Sequence, residues 1–154
     1  MKIHEILDKR AIKIGLNATD KTGVLKELVG ILSNIRNIGD QKSIVKALVE
    51  RENLGSTGIG QGIAIPHGKT DKVDSLVAIL GVSNQGVNFD ALDGEPVYIF
   101  FLLVTPKDTS GPHLKALAQI SRLLRDSYFC ELIRRCKTAE EVHELIKNEE
   151  EKKH

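Results

Sequence analysis

Residues 97–104 read Val-Tyr-Ile-Phe-Phe-Leu-Leu-Val, an apolar run with no polar alternation. A strand with one face in water alternates apolar and polar side chains. A run like this one instead predicts a strand buried on both faces of a sheet. Such a sheet needs helices to cover it, and helical patterns lie on either side of the strand candidates in this chain. Thr19 or Asp20 can cap a helix running to about Arg36, with Leu25, Leu28, Val29 and Leu32 at helical spacing. Gly39 and Asp40 break the chain before a second helix, apolar at Ile44, Val45, Leu48 and Val49, that runs to about Glu52. Pro112 opens a third helix to about Arg125. Two shorter helices follow, the last begun by a capping box at Thr138 and Glu141.

Residues 3–8 suit a helical turn, 11–16 a strand, 62–65 a short strand and 76–82 a longer one. No helix separates 76–82 from 97–104, so the sheet is expected to be mixed. No repeat, linker or composition break divides the 154 residues. The reading is therefore α/β: a single domain over 1–154, with a mixed β-sheet and helices on both faces. The core spans about 3–147, and the charge run Asn-Glu-Glu-Glu-Lys-Lys-His at 148–154 reads as a solvated or frayed tail.

Composition narrows the function classes. Twenty-two Lys and Arg against 21 Asp and Glu leave a formal net charge of +1, without the basic excess of a nucleic-acid binder. Cys130 and Cys136 are too few for a disulfide framework and read as reduced thiols that pack. The N-terminal residues, broken by charges, lack a signal-peptide core, and the longest apolar run falls short of the ~20 residues that span a bilayer. A cytoplasmic protein is expected.

Two of the five histidines occupy similar places. His67 follows the strand at 62–65, and His113 sits in the first turn of the helix reached after the strand at 97–104. Ligand sites in α/β sheets collect at the carboxyl ends of strands, and a helix N-terminus favours an anion. The glycine-rich stretch 55–68, Gly-Ser-Thr-Gly-Ile-Gly-Gln-Gly-Ile-Ala-Ile-Pro-His-Gly, offers backbone that a ligand could approach closely. His4, His143 and His154 read as ordinary surface or core residues. Nucleotide motifs fail here: Ile63 stands where the third glycine of G-x-G-x-x-G belongs, and again where a P-loop needs its first. Pro66 also removes an amide that a P-loop would use. No H-x-x-x-H or H-E-x-x-H spacing supports a zinc site on His67 and His113.

The stretch from Arg51 through the Gly-Ile-Ala-Ile-Pro-His67-Gly-Lys segment closely resembles the active-site signature of phosphotransferase-system (PTS) IIA proteins of the fructose–mannitol–nitrogen class. The likeness continues through Phe89-Asp-Ala-Leu-Asp-Gly-Glu-Pro and resumes at His113-Leu-Lys-Ala-Leu-Ala-Gln-Ile-Ser-Arg-Leu-Leu, so it covers nearly the whole chain. The resemblance implies a phosphotransferase component that accepts phosphate from the phosphocarrier HPr on His67, through Nε2, and passes it to a IIB domain. It implies that His113 is the second active-site histidine, lying against the first, and that Arg51 neighbours the site. All three positions match the family pattern. No metal, nucleotide or organic cofactor is implied. Two roles stay open: sugar uptake of the fructose or mannitol type, and a nitrogen-type regulatory carrier whose phosphorylation state controls partner proteins. The resemblance implies that IIA never touches the sugar, whose identity is set by the membrane partner. The small residues Gly60, Gly62, Ile63, Ala64 and Ile65 suggest a shallow apolar docking surface around His67. Arg51, Lys69 and Lys72 would attract an acidic or phosphorylated partner.

Overall fold

The apolar run forms β6 (Val97–Pro106), the middle of a six-stranded sheet in a computed structural model that describes residues 2–108 and 111–152. From Ile99 to Val104 every β6 side chain is at most 1% exposed. β5 (Val77–Val87) runs antiparallel to β6, pairing Gly81 with Phe100 and Leu80 with Phe101. On its other side β6 is flanked by two short parallel strands, β3 (Ile63–Ala64) and β4 (His67–Thr70). β1 (Ile12–Ile14) lies parallel beside β5, and β2 (Gly58–Gly60) lies antiparallel beside β3. The sheet is mixed, as the missing crossover helix predicts. β4 went unforeseen, because His-Gly-Lys-Thr shows no apolar alternation and is a strand only through its pairing with residues 103–106 of β6.

Alternation along the strands separates the two helical layers. Gly81 and its partner Phe100 share one face. A Cβ on Gly81 would lie 2.9 Å from the Leu28 side chain of α2 (Lys21–Ile35), so only glycine lets that helix approach so closely. Thr105, five residues beyond Phe100, points to the other face and meets His113 of α4 (Gly111–Leu123). α3 (Gln41–Asn53) packs with α2 and against β4, while α5 (Ser127–Arg135) and α6 (Ala139–Lys152) follow α4 against β6 and β1. Asp20, not Thr19, caps α2 by accepting from the Gly23 N–H at 2.7 Å. At α6, Thr138 accepts from the Glu141 N–H, but the Glu141 carboxylate turns to the Thr138 hydroxyl, so the predicted box is half formed.

Residues 148–152 of the charged C-terminal run are helical, and the last two lie outside the described residues. α6 continues to Lys152, and Glu150 turns inward against α1 (Ile3–Ile6) at the opposite end of the chain. Its carboxylate accepts from the Ile3 N–H at 2.6 Å, the His4 N–H at 2.8 Å and the His4 Nδ1–H at 2.7 Å. The His143 Nε2–H donates to the His4 carbonyl at 2.9 Å. His4 and His143 thus join the two ends of the chain, as structural residues; His154 lies outside the described residues. Composition reports the charge of such a run, whereas its docking depends on a partner 146 residues away. Truncating Glu150 to Ala leaves these donors without their acceptor, which should cost about 1–3 kcal/mol. A urea midpoint equal to wild type would refute that role.

Candidate active site

β3 and β4 run along the same side of β6, interrupted at Ile65 and Pro66, and the interruption brings His67 level with Leu103 near the carboxyl end of β6. The His67 Nδ1–H donates to the Ile65 carbonyl at 2.9 Å. That bond places the ring proton on Nδ1 and leaves Nε2 unprotonated, with its lone pair as an acceptor. Arg51, in the last turn of α3, donates its Nε–H to His67 Nε2 at 3.3 Å and an Nη1–H to the Gly55 carbonyl at 2.8 Å. His113 arrives from the first turn of α4, its ring centroid 5.3 Å from that of His67 at an interplanar angle of 64°. Its Nδ1 lies 3.1 Å from the Thr105 hydroxyl. Positions 51, 67 and 113 therefore meet at one point, from a helix end, a strand start and a helix start.

His67 is half-buried and His113 is 6% exposed. Burial pushes His67 below the usual imidazole range, and the Arg51 charge pushes it further. The bond to Ile65 and the Glu52 carboxylate act in the opposite sense. Burial also lowers His113, with His67 and Lys69 adding to the effect. Both rings are thereby held neutral near pH 7. A neutral imidazole with an unprotonated Nε2, a guanidinium hydrogen-bonded to that atom and a second ring alongside can take up a phosphoryl group once the guanidinium yields the lone pair, and can balance its charge.

Two expectations about the surroundings need correction. Ile63, Ala64 and Ile65 are 2%, 0% and 4% exposed, so they belong to the core and form no docking surface. The exposed apolar side chains nearest in sequence to the site are Leu54, just past α3, and Leu114, beside His113. The glycines also serve packing more than ligand approach. A Cβ on Gly58 would lie 2.9 Å from the Ala91 backbone, and Gly60 and Gly62 form the β2–β3 turn at φ +96° and +81° against Asp93 and Tyr98. Sequence reading missed Thr105, Thr57 and Glu52. Each is a polar residue whose burial depends on distant partners, and a lone sequence does not show that burial.

The thiols lie elsewhere. Cys130 is buried on α5, donates to the Leu124 carbonyl, and is pushed up to about 11, chiefly by burial. Among the described residues, no group of three or more His, Cys, Asp and Glu is placed to hold a metal ion. Among the same residues, no helix is long and apolar enough to cross a membrane.

Residues 5–149 match the family described as the phosphoenolpyruvate-dependent sugar phosphotransferase system, EIIA 2. The chain is similar to the PTS system fructose-specific EIIABC component of Bacillus subtilis, 38% identical over 124 residues. That match takes in 80% of this chain but only 20% of the relative, so the chain spans about a fifth of its length. It is 32% identical over 146 residues to a nitrogen regulatory protein of Bradyrhizobium diazoefficiens, covering 95% of each. The fold superposes on the nitrogen regulatory protein IIA-Ntr from Neisseria meningitidis with a TM-score of 0.86 at 31% identity, over 94% of this chain and 98% of that one. Signature, sheet and relatives agree, and the chain belongs to the EIIA 2 family of the phosphotransferase system.

Proposed function

We propose that this protein is a phosphoryl carrier that accepts phosphate from phospho-HPr on His67 Nε2 and passes it to a IIB domain. The observation that carries the reading is the tautomer: Nδ1–H is committed to the Ile65 carbonyl, so Nε2 is the ring's nucleophilic atom. The Arg51 Nε–H passes from Nε2 to the incoming phosphoryl oxygens, the freed Nε2 lone pair attacks phosphorus as the donor's N–P bond breaks, and that electron pair returns to the donor imidazole. One N–P bond replaces another, so the step is close to thermoneutral and reversible. Arg51 offsets charge on the equatorial oxygens, and His113, oriented by Thr105, supplies a hydrogen bond. The name of the Bacillus relative, which joins A, B and C components, supports a IIB acceptor. The similarity to nitrogen regulatory proteins over most of both chains favours a second reading, in which the same phosphohistidine sets the binding of target proteins.

The test is to purify the phosphorylated protein and offer it free hexoses and hexitols, then fructose- and mannitol-type IIB domains. Phosphate is expected to persist with sugar alone and to leave rapidly to IIB. Rapid loss to sugar overturns the carrier reading. Persistence with every IIB domain transfers the assignment to the regulatory role.

A further inference from the structure

We propose that Glu52 is a positioning residue for phosphoryl transfer, clamping the turn at 54–57 so that Arg51 is held on His67. The inference rests on His67 being the phosphoryl acceptor. Glu52 is 6% exposed at the C-terminal end of α3, where both burial and the helix dipole disfavour a carboxylate. It is held there by three donors. The Thr57 N–H reaches Oε1 at 3.1 Å, the Thr57 hydroxyl makes a short bond to Oε2, and Lys21 Nζ lies 3.1 Å from Oε1. Lys21 belongs to the first turn of α2 and sits over the Phe89 ring, 4.8 Å from its centroid. Only the Glu52 side of this ion pair is buried, since the Lys21 side chain is 22% exposed, so the pair adds little net stability but fixes the segments it joins.

Those segments meet the two nitrogens of His67 from opposite sides. The turn that Glu52 and Thr57 bracket contains Gly55, whose carbonyl takes the Arg51 Nη1–H, and Arg51 Nε then reaches His67 Nε2. The Thr57 carbonyl accepts the Ile65 N–H at 3.0 Å, and the Ile65 carbonyl accepts the His67 Nδ1–H. Thr57 is therefore the junction of both routes. Without the carboxylate the turn loses its inner anchor, and Arg51 Nη1 loses a fixed acceptor. A guanidinium without that tether is no longer held where a short movement carries it from Nε2 to the oxygens of the transferring phosphoryl group.

Glu52→Gln and Thr57→Val are each expected to slow single-turnover transfer from phospho-HPr about 10-fold. Apparent affinity for the donor should be unchanged, because Glu52 and Thr57 are buried and cannot touch it. Acting through Arg51, each substitution should have a markedly smaller effect in an Arg51→Ala background. A variant that is merely destabilised would slow both backgrounds by the same factor. Thermal melting of every variant shows that the assay temperature lies below the transition, and Thr57→Val decides the matter if Glu52→Gln does not fold. Wild-type rates in both single variants, or equal slowing in both backgrounds, would overturn the proposal. A His67→Ala control that still labels would instead refute the acceptor reading on which it rests.

Discussion

His67→Ala is expected to abolish acid-labile, base-stable label when the protein is incubated with phosphoenolpyruvate, enzyme I and HPr. The loss should be complete, because no other histidine in the described structure combines exposure, a committed tautomer and a facing cation. His113 is nearly buried, and His4 and His143 are engaged in joining the chain ends. Cys130 is no substitute, since a thiol pushed up to about 11 is protonated and its Sγ–H is bound to a carbonyl. The same geometry sets the pH dependence. Burial and the Arg51 charge hold His67 below the ordinary imidazole value of about 6.5, so the neutral nucleophile survives as pH falls through that value. Single-turnover labelling by phospho-HPr should be flat from about pH 8 to about 6.5 and decline only below. Folding stability follows in the same direction. With both rings depressed in the folded state, the unfolded chain binds more protons below about pH 6.5. The stability the two rings contribute is therefore fully present above that pH and is lost as pH falls through their folded values. Wild-type labelling of His67→Ala would sink the assignment, and a rate that halves above pH 6.5 would sink the account of its environment.

Arg51→Ala and His113→Ala should each slow transfer on the order of 10²-fold while leaving the fold intact, the usual cost of removing one preorganised transition-state donor. For Arg51 the bland alternative is a cation placed at the end of α3 to satisfy the helix dipole. That role would be met by any basic residue at the surface. Yet Arg51 donates Nε to His67 and Nη1 to Gly55, a two-point arrangement available to a planar guanidinium and not to an ammonium. Arg51→Lys should accordingly recover only a small part of the lost rate, whereas a dipole role would be fully rescued. For His113 the alternative is a core histidine satisfied by Thr105, which predicts a loss of stability with no loss of rate. Wild-type transfer in both directions by either alanine variant would remove that residue from the mechanism.

The layered α/β fold was legible because its evidence is local. Eight apolar residues in a row announce a strand covered on both sides, and Leu25, Leu28, Val29 and Leu32 recur at the spacing of one helix face. The candidate residues His67 and His113 were legible through the family signature and through their positions at a strand end and a helix start, and Arg51 through the signature alone. Tertiary structure alone decided the rest. Residues 67–70 became a strand only by pairing with β6, which set His67 level with Leu103 and within reach of α4. A run of glycines served turns and close packing, because Ala91, Asp93 and Tyr98 fill the space a side chain would need. Residues 148–152 of the charged run became part of a docked helix because Glu150 found the amides of α1. Glu52 drew no notice beside Arg51 until Thr57 and Lys21 closed around it. Periodicity records which side of a segment is dry, and composition records its charge. A buried polar contact depends instead on which distant segment arrives opposite, and that is settled only when the sheet closes.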